Sequence, residues 1–111
     1  FLVLAGSISF LFPAMLAGAV GGTVSLANSF PHIAVTLYQY GLARDKKKGA
    51  DYQAWARQVN KAISGRYGVA GVKAAMELNG FVAGIPRRPL LPLSEAQRRE
   101  LRDTLIEEGV L

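Results

Sequence analysis

The first charged side chain in this sequence is Arg44, so residues 1–43 carry no lysine, arginine, aspartate or glutamate. An uncharged segment of that length has few structural homes. A membrane-spanning helix needs about 20 continuous apolar residues. Here Gly6, Pro13, Gly18, Gly21, Gly22, Asn28 and Pro31 break every window, with Ser7, Ser9, Thr23 and Ser25 between them. Lys46-Lys47-Lys48 would suit a positive flank after a membrane segment. The broken pattern is better explained by a β/α core, whose strands are covered on both faces and read as unbroken apolar runs. No positive stretch precedes the apolar run, so no secretory leader is read. We expect no membrane segment.

Taken in order, Phe1–Ala5 reads as a buried strand ended by Gly6-Ser7. A helix begins near Phe12, with Pro13 in its first turn where a missing N–H costs nothing, and Gly18 stops it. Val20–Ala27 reads as a second strand, on which Thr23 and Ser25 alternate. Asn28 is placed to cap the helix Phe30–Leu42, whose first turn holds Pro31. Ile33, Leu37 and Tyr40 share one side of that helix. Val35 and Tyr38 lie elsewhere, so it is expected to be covered on several faces. His32 falls at the helix start and is expected to be partly buried. A buried strand at residue 1, with no Met and no cap before it, reads as part of a longer chain.

Arg44–Gly49 reads as a solvated, charged connector. Asp51–Ser64 is the clearest amphipathic helix. Tyr52, Trp55, Ala56, Val59, Ala62 and Ile63 form its apolar stripe, while Gln53, Arg57, Gln58, Asn60 and Lys61 face outward. Gly65 is expected to close it. A shorter helix spans Val69–Leu78, with Lys73 and Glu77 as an i,i+4 pair and Asn79-Gly80 as its stop. Pro86, Pro89 and Pro92 make Phe81–Leu93 extended. Ser94-Glu95-Ala96-Gln97 is a capping box opening a last helix to about Glu108, with Leu101 and Leu105 inward. No internal repeat is present.

Reactive groups are scarce. There is no cysteine, and His32 is the only histidine, which excludes thiol nucleophiles and multi-histidine or cysteine-type zinc sites within the chain. The balance of 13 basic against 8 acidic residues gives a net charge of +5. The three consecutive lysines lack the aromatic or basic surroundings of a nucleic-acid surface, so no nucleic-acid partner is expected. Gly18-x-x-Gly21-Gly22 precedes a strand instead of following one and is not a phosphate loop. No lysine reads as a desolvated nucleophile. Small polar groups at the strand ends remain: Gly6 and Ser7 after the first, Thr23 and Ser25 on the second. In parallel neighbours these would meet at one edge, where amides and hydroxyls could hold a carboxylate or keto oxygen. Tight packing alone would equally account for them.

Four blocks, in order, cover nearly the whole chain: Val3-Leu4-Ala5-Gly6-Ser7; Gly18 through Asn28; Gly68-Val69-x-Gly71-Val72-Lys73-x-x-Met76-x-x-x-Gly80; and Arg87-Arg88-Pro89-Leu90-x-Pro92-Leu93-Ser94. Together they resemble the C-terminal third of the dihydrodipicolinate synthase/N-acetylneuraminate lyase superfamily. The Ala19-Val20-Gly21-Gly22 and Tyr67-Gly68-Val69-x-Gly71 wording is most similar to its 4-hydroxy-2-oxoglutarate aldolase and 2-keto-3-deoxy sugar acid aldolase branch. A dihydrodipicolinate synthase more often carries an Asn-Pro pair near Gly68–Gly71.

The resemblance implies an α/β fold: the C-terminal part of a (β/α)8 TIM barrel, with its last two strands, followed by a three-helix extension. Residues 1–45 would be the last two β/α units and residues 46–111 the helical part, with the extension proper from about Asp51. It also implies a class I aldolase, in which a sixth-strand lysine forms a Schiff base with pyruvate and an earlier tyrosine relays protons. No residue here matches either, so no catalytic residue is assigned to this chain. Gly6 matches a glycine bordering the pocket. Thr23 matches a pyruvate-contacting position that is often apolar in relatives. Gly22 and Ser25 are further substrate-binding candidates, and Arg87 is read as structural. The resemblance implies no cofactor and no metal. The partners are pyruvate with an aldehyde or 2-keto acid, in a homotetramer that is cytoplasmic or, as an alternative, mitochondrial. The competing readings are a dihydrodipicolinate synthase-type condensation and a non-catalytic helical module docking a partner through residues 30–42.

Overall fold

The computed structural model describes residues 1–111. Strand β1 (Leu4–Ala5) pairs in parallel with β2 (Gly21–Gly22), Leu4 opposite Gly21 and Ala5 opposite Gly22. Two flanking bonds lengthen the ladder, Val20 N to Val3 O at 3.0 Å and Thr23 N to Ala5 O at 2.9 Å. Between the strands lie a 3₁₀ turn (Ile8–Phe10) and helix α1 (Leu11–Leu16), with Pro13 in its first turn as the sequence requires. After β2 come α2 (Leu26–Ser29), α3 (Pro31–Ala43), α4 (Lys46–Asn60), a π-helical segment (Lys61–Gly65), α5 (Arg66–Leu78) and α6 (Glu95–Glu107). No helix is long and apolar enough to cross a membrane.

Several expectations need correction. The first strand is not buried: only Ala5 of Phe1–Ala5 is covered, and Phe1 to Leu4 are exposed, because a two-stranded sheet offers them no neighbour. The second strand ends early. Ser25 is already in helical conformation as the residue before α2, and Leu26 and Ala27 are helical. Asn28 therefore sits inside α2, its Nδ2 turned back on Ser25 O at 3.0 Å, and the residue before α3 is Phe30. Val35, Tyr38 and Leu42 of α3 are exposed, as is His32, whose ring meets Phe30 edge-on.

The charged connector is shorter than expected. Asp45 caps α4, accepting from Lys48 N at 3.1 Å, so the three lysines occupy the first helical turn, exposed. Gly65 does not end the helix. The axis continues through the π segment and breaks at Gly68, whose φ of 57° and ψ of −143° no β-branched or bulky residue adopts without strain. Lys73 does not pair with Glu77. Its Nζ donates to Ala83 O at 2.8 Å, and Glu77 takes Arg98 of α6 at 2.8 Å. The Ser94–Gln97 capping box forms as read, and Leu101 and Leu105 are buried.

The largest correction concerns the polar side of α4. Gln53 is almost fully buried. Its Oε1 accepts from Phe12 N at 2.9 Å and its Nε2 donates to Ile8 O at 2.8 Å. Arg57 Nε donates to Ser9 O, and Asn60 Nδ2 to Ser9 Oγ, each at 3.1 Å. Residues 53, 57 and 60 lie on one helical stripe. That stripe docks on the turn after β1, while Ala56, Val59 and Ile63 fill the core beside it. One apolar cluster runs from Ala5 and Ile8 through Phe30, Ile33 and Leu37 to Ala75, Leu101 and Leu105. The strand pair and the later helices thus share a single core.

Phe12 N–H lies in the first turn of α1, where no intrahelical acceptor exists, and Phe10 offers no side-chain cap. Gln53 supplies that cap from forty-one residues away. Ile8 O keeps the Leu11 N–H, so Gln53→Ala leaves one buried backbone group, Phe12 N–H, without a partner, at about 1–3 kcal/mol. We expect the variant to lose about 1–3 kcal/mol, read as a lowered urea midpoint at unchanged slope. A shift under about 0.5 kcal/mol would mean that the Phe12 N–H finds water instead.

Candidate functional site

Parallel pairing carries the carboxyl ends of β1 and β2 to one edge. The next residues in register are Gly6 and Thr23, so the structure brings these two together. The Thr23 amide is spent on Ala5 O, which leaves its exposed side chain as the group it can offer a ligand. Ser7 is already engaged: its Oγ accepts from Ser9 N at 3.2 Å and caps the 3₁₀ turn.

The candidate glycines differ in kind. A Cβ at Gly22 would stand 2.9 Å from both Ala5 O and Leu11 Cδ1, so close packing alone demands a glycine there. A Cβ at Gly6 would meet no atom within 4 Å. Nothing within these 111 residues explains a glycine at position 6 by packing.

Two cavities open around the strand ends. The first, about 560 Å³, runs along β2 against α3, with Gly22, Thr23, Asn28 and Tyr38 among its walls. The second, about 290 Å³, lies between the segment after β2 and helix α5, lined by Ser25, Asn28, Val69, Val72, Lys73 and Met76. Asn28 borders both. Ser25 thus belongs to the second cavity, and Gly6 lines neither. Asn79 Nδ2 ties the end of α5 to Ser29 O of α2, and Lys73 Nζ ties α5 to Ala83 O of the segment that follows it, each at 2.8 Å.

Asn28, Val69 and Lys73 escaped the sequence reading as pocket residues. Asn28 looked like a cap, and Lys73 looked like half of an i,i+4 pair. Arg98 four residues beyond the Ser94 cap was the available signal that Glu77 had a competing cation. Burial raises the phenol pKa of Tyr52. That of Tyr67 is raised by desolvation and by its hydrogen bond to Glu100 at 2.8 Å. Neither tyrosine lines either cavity.

The profile of the dihydrodipicolinate synthetase family matches residues 1–108. A DapA-like lyase of Halobacterium salinarum is 36% identical over 108 residues, which cover 97% of this chain and 36% of the relative. The 4-hydroxy-tetrahydrodipicolinate synthase of Symbiobacterium thermophilum is 34% identical, covering all of this chain and 38% of its own length. Among solved structures, a Sulfolobus 2-keto-3-deoxygluconate aldolase superimposes with a TM-score of 0.84 at 24% identity, over 100% of this chain and 41% of that one. An E. coli K12 prophage protein of the dihydrodipicolinic acid synthase family, solved with pyruvate, gives 0.85 at 25% identity, over 100% and 38%. The chain therefore spans well under half of each relative, and its fold corresponds to the C-terminal part of their barrels. With nearly every residue inside the match, this chain belongs to the dihydrodipicolinate synthetase family.

Proposed function

We propose that this chain is the C-terminal portion of a class I aldolase that makes or breaks a carbon–carbon bond with pyruvate as one component. The 2-keto acid would be 4-hydroxy-2-oxoglutarate or a 2-keto-3-deoxy sugar acid. Residues 1–45 are the last two β/α units of the barrel, and residues 46–111 are the helical extension. The Schiff-base lysine and the proton-relaying tyrosine belong to earlier strands. What this chain contributes is wall: Gly6 and Thr23 side by side at the strand ends, with Gly22 and Ser25 behind them. The single observation that supports this most is that juxtaposition, at the carboxyl end of parallel strands, where barrel enzymes carry their chemistry. The protein works as a homotetramer and needs no cofactor.

A condensation of pyruvate with an aldehyde, as in a dihydrodipicolinate synthase, is the second reading, favoured by the names of relatives such as the Symbiobacterium enzyme. Against it stands Tyr67-Gly68-Val69-Ala70-Gly71, with no Asn-Pro pair. A helical docking module would use the exposed Val35, Tyr38 and Leu42 of α3, but leaves the Gly6–Thr23 juxtaposition without a role.

On the complete protein, borohydride added with pyruvate should trap a covalent adduct, seen by mass spectrometry. Absence of the adduct sinks the Schiff-base mechanism. Release of pyruvate from 4-hydroxy-2-oxoglutarate or a 2-keto-3-deoxy sugar acid marks the aldolase; pyruvate consumption with an aldehyde and no cleavage marks the synthase. The glycines give a separate test. Gly22→Ala should cost about 1–3 kcal/mol of stability through overpacking. Gly6→Ala should change stability by less than about 0.5 kcal/mol. It should still lower kcat/KM by about tenfold or more, because a methyl beside Thr23 at the strand ends misplaces the bound keto acid. Unchanged kinetics in Gly6→Ala would remove Gly6 from the site.

A further inference from the structure

Asn60 is buried and ends α4, immediately before the π segment. Both halves of its amide are committed. Nδ2 donates to Ser9 Oγ at 3.1 Å, and Oδ1 accepts from Ser64 Oγ, inside the π segment, at 2.9 Å. Ser9 is tied at three points. Its Oγ accepts from Asn60, its carbonyl accepts from Arg57 Nε at 3.1 Å, and its N–H donates to Ser7 Oγ at 3.2 Å. Ser7 directly follows Gly6. Gly6 itself lies beyond the end of β1 and is packed by nothing, since a Cβ there would meet no atom within 4 Å. A relay of side chains, Ser64–Asn60–Ser9–Ser7, thus runs from the later helices to the residue beside Gly6. The π turn that supplies Ser64 is a rare winding that recurs at functional sites. Helix α5 accommodates it through Gly71, where a Cβ would stand 2.5 Å from Ile63 O.

We infer that Asn60 is a positioning residue of the aldolase, setting through Ser9 and Ser7 where Gly6 stands beside Thr23 and so where the bound keto acid sits. Asn60 has this role only in the aldolase reading, on which the inference rests. It lines neither cavity at the strand ends, so its effect reaches the reaction through the turn alone. Gly6 has no side chain to hold it and no neighbour to pack it, so its place depends on the ties of the residues that follow. A reacting atom displaced by 1 Å costs about 10²-fold in rate. A turn that loses one of its several ties moves less than that, and about tenfold is expected.

The test follows the rate of borohydride-trapped adduct formation with pyruvate in the complete protein. Asn60→Ala should lower the maximal rate about tenfold and leave the half-saturating pyruvate concentration within about twofold. Asn60→Asp keeps the side chain's size, and both its neighbours are hydroxyls that can turn a proton toward a carboxylate. It should therefore recover most of the rate. In the Gly6→Ala background, Asn60→Ala should cost less than about twofold further, because both changes act through one turn. Losses that multiply, or an unchanged maximal rate in Asn60→Ala, overturn the inference. Where Asn60→Ala fails to fold, Ser9→Ala decides in its place. It leaves the Asn60–Ser64 bond intact, and an unchanged maximal rate in it overturns the inference equally. The reading beneath is tested apart, by whether the unsubstituted protein forms the adduct at all. Should it form none, hydrogen exchange decides the relay. Faster exchange of the Ser9 amide in Asn60→Ala, with that of Thr23 unchanged, supports it, and unchanged exchange at Ser9 overturns it.

Discussion

Gln53 bonds two backbone groups at once, and for one of them, the Phe12 N–H, the helix itself has no acceptor. Its amide closes on Phe12 N and Ile8 O, the two sides of the turn between the first strand and the first helix. A strand pair of two residues each cannot orient that turn by itself. The orientation comes instead from α4, whose Gln53, Arg57 and Asn60 grip residues 8, 9 and 12 in succession. Everything at the carboxyl end of β1, including Gly6, is positioned through this contact. A helix that reads as a peripheral addition is in fact the splint of the strand ends.

This explains where the sequence was readable and where it was not. Helix α3 could be read almost to the residue because Pro31 and the Ile33–Leu37 spacing are local signals. The capping box of α6 is equally local. Gln53 was misassigned because periodicity sorts residues by polarity, and a buried amide with both ends bonded is polar yet internal. The only sequence trace of its role is its i, i+4, i+7 relation to Arg57 and Asn60, which is also what a solvated face looks like. The strand Val20–Ala27 failed for a different reason. Val24, Leu26 and Ala27 are apolar in any conformation, and the chain turns helical at Ser25 with no glycine or proline to announce it.

The candidate site shows the same division. Gly6 and Thr23 could be paired from sequence because parallel strands need only the right spacing to bring their ends together. The second cavity could not, since it depends on α5 arriving from forty residues downstream. Its arrival follows from the break at Gly68 and the bond from Asn79 to Ser29 O. Neither is visible as a pattern.

The floor and the wall of the site therefore obey different physics. Within the floor, Gly22 is small because backbone must approach backbone, and it could not be larger without striking Ala5 O, whereas Gly6 has open space around it. The wall, at Val69, Val72 and Lys73, is free of that constraint, for it faces a cavity and not a neighbouring strand. A substitution at Gly22 must disturb the packing of the strand ends, while one at Gly6 need not. Substitutions in the wall can reshape the cavity while the floor stays as it is, because Gln53 and the shared core hold the strand ends in place.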